Sequence, residues 1–220
     1  MDAQDLDGLH RRFTAPATTL QRPAVFLDRD GVIIEEIGYL HDPCQVRYLP
    51  GALDAIARMN RAGVAVVVVT NQAGIGRGYY GWDAFKDVQE RIATDLAAAG
   101  GWLDGEWACA FHPDATIEAL AHTAHPFRKP NPGMIEEAAR CLHLRLDKSW
   151  LVGDKVCDIE AAVRAGLQGA IHVATGYGLE HRAAVNSLRA ASGARIDEAE
   201  DLARAVELVL APTVPSSRAR

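Results

Sequence analysis

The stretch AVFLDRDGV (residues 24–32) decides the fold, because an apolar run of strand length ends abruptly in two acidic residues and a glycine. Four more apolar runs recur along the chain, separated by segments with helical spacing; they are VAVVVVT (64–70), EWACAF (106–111), SWLVG (149–153) and GAIHVA (169–174). Continuous apolar runs are typical of strands buried on both faces of a sheet. The sequence therefore predicts an α/β fold, a doubly wound parallel sheet covered by helices on both faces.

Helical periodicity between the strands supports this prediction. Apolar residues recur every three or four positions in the segments 82–96 and 134–142, and a further helix is expected over about 157–166. We expect the second of these helices to open with Asn131 as N-cap and Pro132 as its first residue. A short last strand is predicted near 194–196, with a final helix after it.

Length and composition predict one soluble globular domain. The 220 residues are 49% hydrophobic and carry 23 basic against 29 acidic side chains, a net charge of −6. This balance excludes a general nucleic-acid or anionic-membrane binder, because no excess of positive charge is available to replace counterions. We expect a loose N-terminal arm over residues 1–22, a domain over 23–210, and a flexible tail over 211–220.

Cysteine usage and hydropathy predict a cytoplasmic protein. The four cysteines are far apart and form no Cys-x-x-Cys pair, which is typical of free thiols in a reducing compartment. The longest apolar run has six residues, too few to cross a bilayer, and the start of the chain lacks the pattern of a signal peptide. We expect a monomer that is not associated with membranes.

Polar residues follow the predicted strands at the edge where ligands of such a sheet bind. They are Asp28-Arg29-Asp30-Gly31, Thr70-Asn71-Gln72 and Gly153-Asp154, with Arg128-Lys129-Pro130 in the segment between the second and fourth strands. Strand alternation points the carboxylates of Asp28 and Asp30 to the same side. Alone, this Asp-x-Asp-Gly would be interpreted as a turn, but the convergence of carboxylates, an amide, a hydroxyl and a lysine favours a reactive site.

The chemistry of this set points to phosphoryl transfer. Clustered carboxylates repel each other unless a cation joins them, and hard oxygen ligands favour Mg²⁺. A lysine and a hydroxyl beside Mg²⁺ suit a phosphoryl group. One carboxylate can attack phosphorus to give an aspartyl-phosphate, and the other can act as general acid and base.

Four segments, FLDRDGVI, VVVTNQAGIGRG, FRKPNPGM and LVGDKVCDIEAA, closely resemble in order and spacing the four motifs of the haloacid dehalogenase (HAD) phosphatase superfamily. The resemblance covers about residues 24–178. It implies a Rossmann-like sheet and a Mg²⁺-dependent phosphomonoesterase acting on a small phosphorylated metabolite. A heptose bisphosphate is the first candidate substrate, and histidinol phosphate or a range of sugar phosphates are alternatives. A noncatalytic phosphate-binding module is a further alternative, disfavoured because every motif residue is present.

The resemblance also implies a role for each motif residue. Asp28 would be the nucleophile, Asp30 the general acid and base, and Lys129 the cation that neutralises the aspartyl-phosphate. Thr70 and Asn71, with Gln72 beside them, would hold the phosphoryl group. Mg²⁺ would be bound by Asp28, the backbone carbonyl of Asp30, and Asp154, with Asp158 orienting the site from behind.

Many members of the superfamily insert a cap domain between these motifs. Here 40 residues separate Asp30 from Thr70 and 59 separate Thr70 from Lys129, too few for a full cap. We therefore expect an open site whose loops select the substrate. Three basic residues near it, Arg77, Arg128 and Lys155, are candidates for binding phosphate, and either arginine could take a second phosphate as a bidentate fork.

The loop insertion 109–129 departs from relatives that hold a structural zinc there through Cys-x-His and Cys-x-Cys pairs. Cys109 is kept, but Phe111 and Phe127 stand at two of the ligand positions. A different tetrahedral zinc set remains conceivable, Cys109, His112, His122 and His125. The alternative is that the phenylalanines pack the loop without metal.

Overall fold

The computed structural model describes residues 4–6, 8–14 and 20–211, and eight of its strands form one sheet. In chain order these are β1 Gln4–Leu6, β2 Leu9–Phe13, β3 Ala24–Leu27, β4 Ala65–Asn71, β5 Gly105–Cys109, β6 Trp150–Gly153, β7 Gly169–Val173 and β8 Ile196–Ala199. Their order across the sheet is β1-β2-β5-β4-β3-β6-β7-β8. Strands β3 to β8 pair in parallel with one another, so the predicted α/β fold with a doubly wound parallel sheet is confirmed.

In the described part of the chain, six helices lie between strands and a seventh follows the last strand: α1 Ala52–Arg61, α2 Ala73–Gly76, α3 Trp82–Ala98, α4 Gly133–Leu142, α5 Val156–Arg164, α6 Gly178–Ser192 and α7 Leu202–Leu210. Successive residues of β3 show why both faces must be covered. Val25 and Leu27 pack in a core with residues of α1, α3 and α7, whereas Ala24 and Phe26 pack in a second core with residues of α4, α5 and α6. Both faces of β3 are therefore buried from solvent, as its continuous apolar sequence predicts.

The central strands align their ends at one edge of the sheet. Leu27 lies opposite Val68 of β4 and Val152 of β6 in the parallel register. The residues that follow these three positions therefore emerge side by side. No helix of the described residues is both long enough and apolar enough to cross a bilayer.

The N-terminal arm differs from the expectation that it packs loosely. Strand β2 pairs antiparallel with β5 from Leu9 opposite Cys109 to Phe13 opposite Gly105, and the Phe13 ring stacks on Trp107 at 5.5 Å. Without β2, the backbone groups of β5 would lie unpaired at a sheet edge. The sequence of the arm does not predict this pairing, because the pairing depends on the unpaired backbone groups of a strand about 95 residues later. The predicted flexible tail lies outside the described residues, except for Ala211.

Two local predictions need correction. Helix α4 begins at Gly133, and Asn131 is not its N-cap. The Asn131 amide instead donates to the His125 carbonyl (3.0 Å) and accepts from Arg164 (2.8 Å), so it ties the preceding loop to α5. The last strand covers Ile196–Ala199, beginning at the end of the segment predicted for it.

No cap domain separates the motifs. Residues 31–64 hold a short 3-10 turn and α1, and residues 72–128 hold α2, α3, β5 and a second 3-10 turn. All of these residues are described, and their helices and strand belong to the layers of the main domain. The strand ends therefore open directly into a cavity.

Candidate active site

The cavity at the carboxyl ends of the strands has a volume of about 300 Å³. Its lining includes seven residues that the sequence assigned to the site: Asp28, Asp30, Asn71, Gln72, Arg128, Lys129 and Lys155. Asp158 also lines it, while Thr70 and Asp154 are buried beside it. Residues that are up to 130 positions apart in the chain thus meet at one place because the parallel strands end there.

A buried lysine lies between two of the aspartates. The Lys129 side chain is 1% exposed, with its Nζ 3.0 Å from Asp28 Oδ1 and 2.6 Å from Asp158 Oδ1. Burial alone would lower the pKa of Lys129, but the charges of Asp158 and Asp28 outweigh it and raise that pKa. The lysine therefore remains a cation at neutral pH.

The same lysine is positioned through its backbone by Asn71. The Asn71 amide donates to the Lys129 carbonyl (3.0 Å) and accepts from the Lys129 N–H (3.1 Å). Both polar atoms of this amide are thereby used to hold the lysine loop against the end of β4. The structure shows that Asn71 binds the backbone of Lys129. That Asn71 also holds the phosphoryl group, as the sequence resemblance implies, stays a prediction.

Asp28, Asp154 and Asp158 are buried with carboxylate oxygens that all lie within 4.8 Å of one another. Asp154 Oδ1 is buried without a hydrogen-bond partner, and Asp154 Oδ2 accepts from the backbone N–H of Tyr177 at 2.8 Å. Burial, then the charges of Asp28 and Asp158, raise the pKa of Asp154 to about 8. A buried carboxylate oxygen that lacks a hydrogen-bond partner and lies among other carboxylates fits a hard divalent cation.

The Asp154 carboxylate also fills space that only glycines leave open. A Cβ on Gly31 would lie 2.5 Å from Asp154 Oδ2, and a Cβ on Gly176 would lie 2.3 Å from it. Both glycines have a positive φ, of 82° and 57°. The DRDG turn therefore requires its glycine for backbone shape and for access to Asp154.

Asp28 and Asp30 have different environments although they are two residues apart. Burial would raise the pKa of Asp28, but Lys129 and then Lys155 outweigh it and hold the pKa below its ordinary value. Asp30 instead accepts from the Arg29 guanidinium at 3.0–3.2 Å and from Gln72 Nε2 at 3.1 Å. One carboxylate is thus kept ionised beside a lysine, and the other is held by directed hydrogen bonds.

The Thr70 hydroxyl takes part in a network through Gln72. Gln72 Nε2 donates to Thr70 Oγ1 at 2.9 Å, and Gln72 Oε1 accepts from the Tyr80 hydroxyl at 2.6 Å and from Arg29 at 3.2 Å. Sequence reasoning did not identify Arg29 or Tyr80 as part of the site. The position of Arg29 between two motif aspartates was the available signal for the first, whereas Tyr80 had none.

The three candidate phosphate-binding cations differ in position. Arg128 lines the cavity and donates to the Phe111 carbonyl at 2.9 Å. Lys155 lines it too, 3.1 Å from Glu36 and with its Nζ 4.7 Å from the ring centroid of Tyr177. Arg77 does not line the cavity.

Arg77 is held at the outer rim. It donates to the Tyr39 hydroxyl at 2.5 Å and lies 3.6 Å from Asp114. Arg128 and Lys155 are therefore better placed for a phosphate.

The candidate zinc ligands do not converge. Among the described residues, the three aspartates form the one group of acidic, histidine or cysteine side chains close enough to share a metal ion. The His125 ring stacks on Phe111 at 3.7 Å, and the Nδ1 atoms of His112, His122 and His125 each accept a backbone N–H within their own loop. Cys109 is buried within β5. Of the two alternatives that the sequence left open, the described residues do not assemble the zinc set, and Phe111 packs against His122 and His125 of the loop.

Comparison with known proteins agrees with this geometry. A family model described as HAD-hydrolase-like matches residues 126–202. A D-glycero-beta-D-manno-heptose-1,7-bisphosphate 7-phosphatase of Mesorhizobium japonicum is 46% identical over 173 residues, covering 74% of this chain and 79% of the relative. The enzyme of that name from Escherichia coli K12 is 39% identical over 154 residues, covering 70% and 80%.

Solved structures give the same result. D,D-heptose 1,7-bisphosphate phosphatase from B. bronchiseptica, complexed with magnesium and phosphate, matches with a TM-score of 0.72 and 31% identity over 87% of this chain and 98% of that one. A putative HAD-like phosphatase from Mesorhizobium loti matches with a TM-score of 0.73 and 44% identity over 77% and 81%.

A doubly wound sheet with paired aspartates, a buried lysine and a carboxylate cluster at its strand ends defines a phosphatase of the HAD type, which confirms the resemblance seen in the sequence. Sequence identity of 46% and 39% to curated relatives points to one family within this class. The chain belongs to the family of the D-glycero-beta-D-manno-heptose-1,7-bisphosphate 7-phosphatases.

The raised pKa of Asp154 predicts how stability responds to pH when divalent cations are removed. Its folded-state pKa of about 8 lies above its ordinary value of 3.8, so the folded protein keeps a proton that the unfolded chain releases. Stability therefore falls as pH rises through this window, by on the order of 1–2 kcal/mol between pH 6.5 and 8, or a few degrees in Tm. Three histidines have a lowered pKa, so their titration changes stability at lower pH than this interval; they are His112, His125 and His172.

The measurement is Tm in chelator and in Mg²⁺ at pH 6.5 and pH 8. Mg²⁺ should raise Tm more at pH 8, because its ligands bind as carboxylates. Asp154→Asn should abolish the Mg²⁺ effect and reduce the pH slope, and Asp158, whose pKa burial also raises, accounts for what remains. A slope as steep as that of the wild type would assign the titration to another group.

Proposed function

We propose that this protein is a Mg²⁺-dependent phosphomonoesterase that removes the 7-phosphate of D-glycero-β-D-manno-heptose 1,7-bisphosphate through an aspartyl-phosphate on Asp28. The observation that carries the proposal is the position of the Asp28 carboxylate, which lines an open cavity with its Oδ1 3.0 Å from the buried Lys129 Nζ. The names of the relatives support the choice of substrate. A phosphorylated sugar is the expected small-molecule partner.

The reaction follows from the roles of three side chains. An Asp28 oxygen attacks phosphorus, forming a bond to it while the bond from phosphorus to the sugar oxygen breaks. Asp30 donates its proton to the leaving sugar oxygen and then accepts one from the water that attacks the aspartyl-phosphate. This releases inorganic phosphate and restores both carboxyl groups, while Lys129 balances the negative charge on the phosphoryl oxygens throughout.

The metal would be held by Asp28, Asp154 and the backbone carbonyl of Asp30, with Asp158 retained by Lys129. When bound, Mg²⁺ supplies positive charge to the phosphoryl oxygens and offsets the repulsion among the carboxylates. Its fit rests on the buried Asp154 Oδ1, which has no hydrogen-bond partner, and on the Asp28 carboxylate within 4.8 Å of it. We also propose that the protein acts in the cytoplasm, which is consistent with its four unpaired cysteines.

Arg128 is the proposed ligand of the second phosphate. It lies in the cavity wall directly before Lys129, and burial lowers the pKa of its guanidinium. Among the described residues, its hydrogen bond goes to the Phe111 carbonyl and to no carboxylate. A half-buried guanidinium that lacks an acidic partner gains from a phosphate dianion. This arrangement favours a bisphosphate over a monophosphate.

The experiment measures phosphate release with Mg²⁺ from heptose 1,7-bisphosphate and from histidinol phosphate, with Asp28→Asn as the blank. We expect kcat/KM to favour the bisphosphate. Arg128→Gln should raise KM for it by roughly 10- to 100-fold, the loss of one charged hydrogen-bonded contact, and leave histidinol phosphate unchanged. Arg77→Gln is the matched control, because Arg77 lies outside the cavity lining.

Each remaining outcome assigns a different function. Equal, slow rates on both substrates would indicate a phosphatase of broad specificity, and preference for histidinol phosphate would replace the proposed substrate. No hydrolysis of any phosphomonoester would favour a noncatalytic phosphate-binding module.

A further inference from the structure

A continuous chain of buried polar side chains runs from Asp30 away from the cavity into the domain. Its first link is Arg29, which is 1% exposed and lies with its guanidinium 5.3 Å from the ring centroid of Phe85. Arg29 Nε and Nη2 both face the Asp30 carboxylate at 3.0–3.2 Å. Each of the two nitrogens lies equally far from both oxygens of Asp30, so the edge of the guanidinium crosses the carboxylate and restrains its position through charged hydrogen bonds.

The second link is Gln89 on α3. Its Oε1 accepts from Arg29 Nη1 at 3.2 Å, and its Nε2 donates to Glu106 Oε2 at 2.6 Å. A guanidinium can only donate and a carboxylate can only accept. A primary amide satisfies both, so the chemistry of its neighbours accounts for a glutamine at a fully buried helix position.

The third link is Glu106 on β5, which joins this network of polar side chains to strand β2. Glu106 Oε1 lies 3.0 Å from His10 Nε2 and 3.1 Å from Arg12 Nε, and both residues belong to β2. His10 also contacts the rings of Trp82 and Phe85 from α3. Strand β2 therefore contributes to a network that ends at the general acid and base.

We propose that Gln89 and Glu106 are positioning residues of the reaction, which hold Arg29 and through it the Asp30 carboxyl group. This inference rests on the proposed function, since it assigns a purpose to the network only if Asp30 transfers protons. A polar chain of this length is expensive to bury unless each member is satisfied. Asp30 then acts from one orientation, set by the network and the N-terminal strand.

The test exploits the difference between leaving groups. A sugar alkoxide needs a proton to leave, whereas p-nitrophenolate leaves without one. Gln89→Met keeps the length of the side chain and removes both hydrogen bonds. Because Asp30 also activates the water that attacks the aspartyl-phosphate formed from either substrate, the two rates compared are single-turnover rates of leaving-group release, which report the first step alone. Gln89→Met should lower the rate of sugar release from heptose 1,7-bisphosphate by roughly 10- to 100-fold, as expected for a slightly misplaced acid, while the rate of p-nitrophenol release from p-nitrophenyl phosphate stays within about 3-fold of wild type.

Two variants frame this result. Asp30→Asn should show the same selectivity between the substrates, with a larger loss. Ile92→Ala removes buried contacts from the apolar face of α3 and should lower Tm without changing the ratio of the two rates. If Gln89→Met fails to fold, Gln89→Asn retains an amide that is one methylene too short to reach both partners and should show the same change in the ratio.

The outcomes separate the two hypotheses. Wild-type protein that hydrolyses neither phosphate ester would overturn the proposed function and the inference with it. Active wild type, a selective loss in Asp30→Asn, and an unchanged ratio in folded Gln89 variants would overturn the positioning role alone. Equal losses on both substrates in the Gln89 variants would also overturn it, because they would indicate a general structural effect.

Discussion

Asp28→Asn should abolish phosphate release while the protein remains folded. The substitution replaces the nucleophilic carboxylate with an amide, and we expect kcat to fall by at least about 10⁴-fold, as for the loss of other covalent nucleophiles. Phosphate release from heptose 1,7-bisphosphate and Tm measured on the same sample check both parts of the expectation.

Stability should survive because Lys129 keeps a second partner. Asp158 Oδ1 lies 2.6 Å from the lysine, so the ammonium is not left unpaired in Asp28→Asn. The change also removes a negative charge that contributes to the raised pKa of Asp154. We therefore expect Tm in chelator to change little or to rise, and stabilisation by Mg²⁺ to weaken.

Asp54→Asn provides the control for this experiment. Asp54 is an exposed carboxylate in the first turn of α1, paired with Arg61 on the surface. The control should retain wild-type kcat. Hydrolysis by Asp28→Asn at more than a small fraction of the wild-type rate would assign the nucleophile to another residue.

The parts of the site that the sequence predicted share one physical property. Asp28, Thr70 and Asp154 each end an apolar run of strand length, so parallel register alone brings them to one edge. Lys129 does not follow a strand, and it was identified from the resemblance of the segment FRKPNPGM to a family motif. Its position depends on two hydrogen bonds with Asn71, one donated by the Asn71 amide and one by the Lys129 backbone N–H.

The parts that the sequence did not predict depend on contacts between distant segments. Gln89 lies on a helix whose apolar periodicity predicts burial but not a polar partner 60 residues earlier. The pairing of β2 with β5 leaves no periodic pattern in a five-residue segment. The loop histidines have a spacing compatible with zinc, and only the stack of Phe111 on His125 shows that packing prevails.

Lys129→Met should reduce both activity and stability, and the two losses can be separated. The variant removes the cation that balances the phosphoryl charge, so we expect kcat to fall by at least about 10³-fold. It also leaves Asp28 and Asp158 buried without their common partner. Loss of one member of a buried ion pair lowers the free energy of unfolding by about 3–5 kcal/mol.

The pH dependence of the stability of Lys129→Met should show that the stability is lost because two buried carboxylates lack their cation. Lys129 lowers the pKa of both carboxyl groups against the effect of burial, so its loss raises both values. Groups whose folded-state pKa is raised stabilise the protein below that pKa, and the stabilisation is lost as pH rises through it. Lys129→Met should therefore be closer to wild-type stability at pH 5 than at pH 8, as measured by denaturant unfolding.

The double variant Lys129→Met with Asp158→Asn distinguishes charge balance from catalysis. Removing one of the two carboxylates lessens the repulsion, so part of the lost unfolding free energy should return, giving a favourable coupling in the double-mutant cycle. Phosphate release should not return, because no cation faces the phosphoryl group. Recovery of activity together with stability would mean that the lysine acts only by holding the aspartates in place.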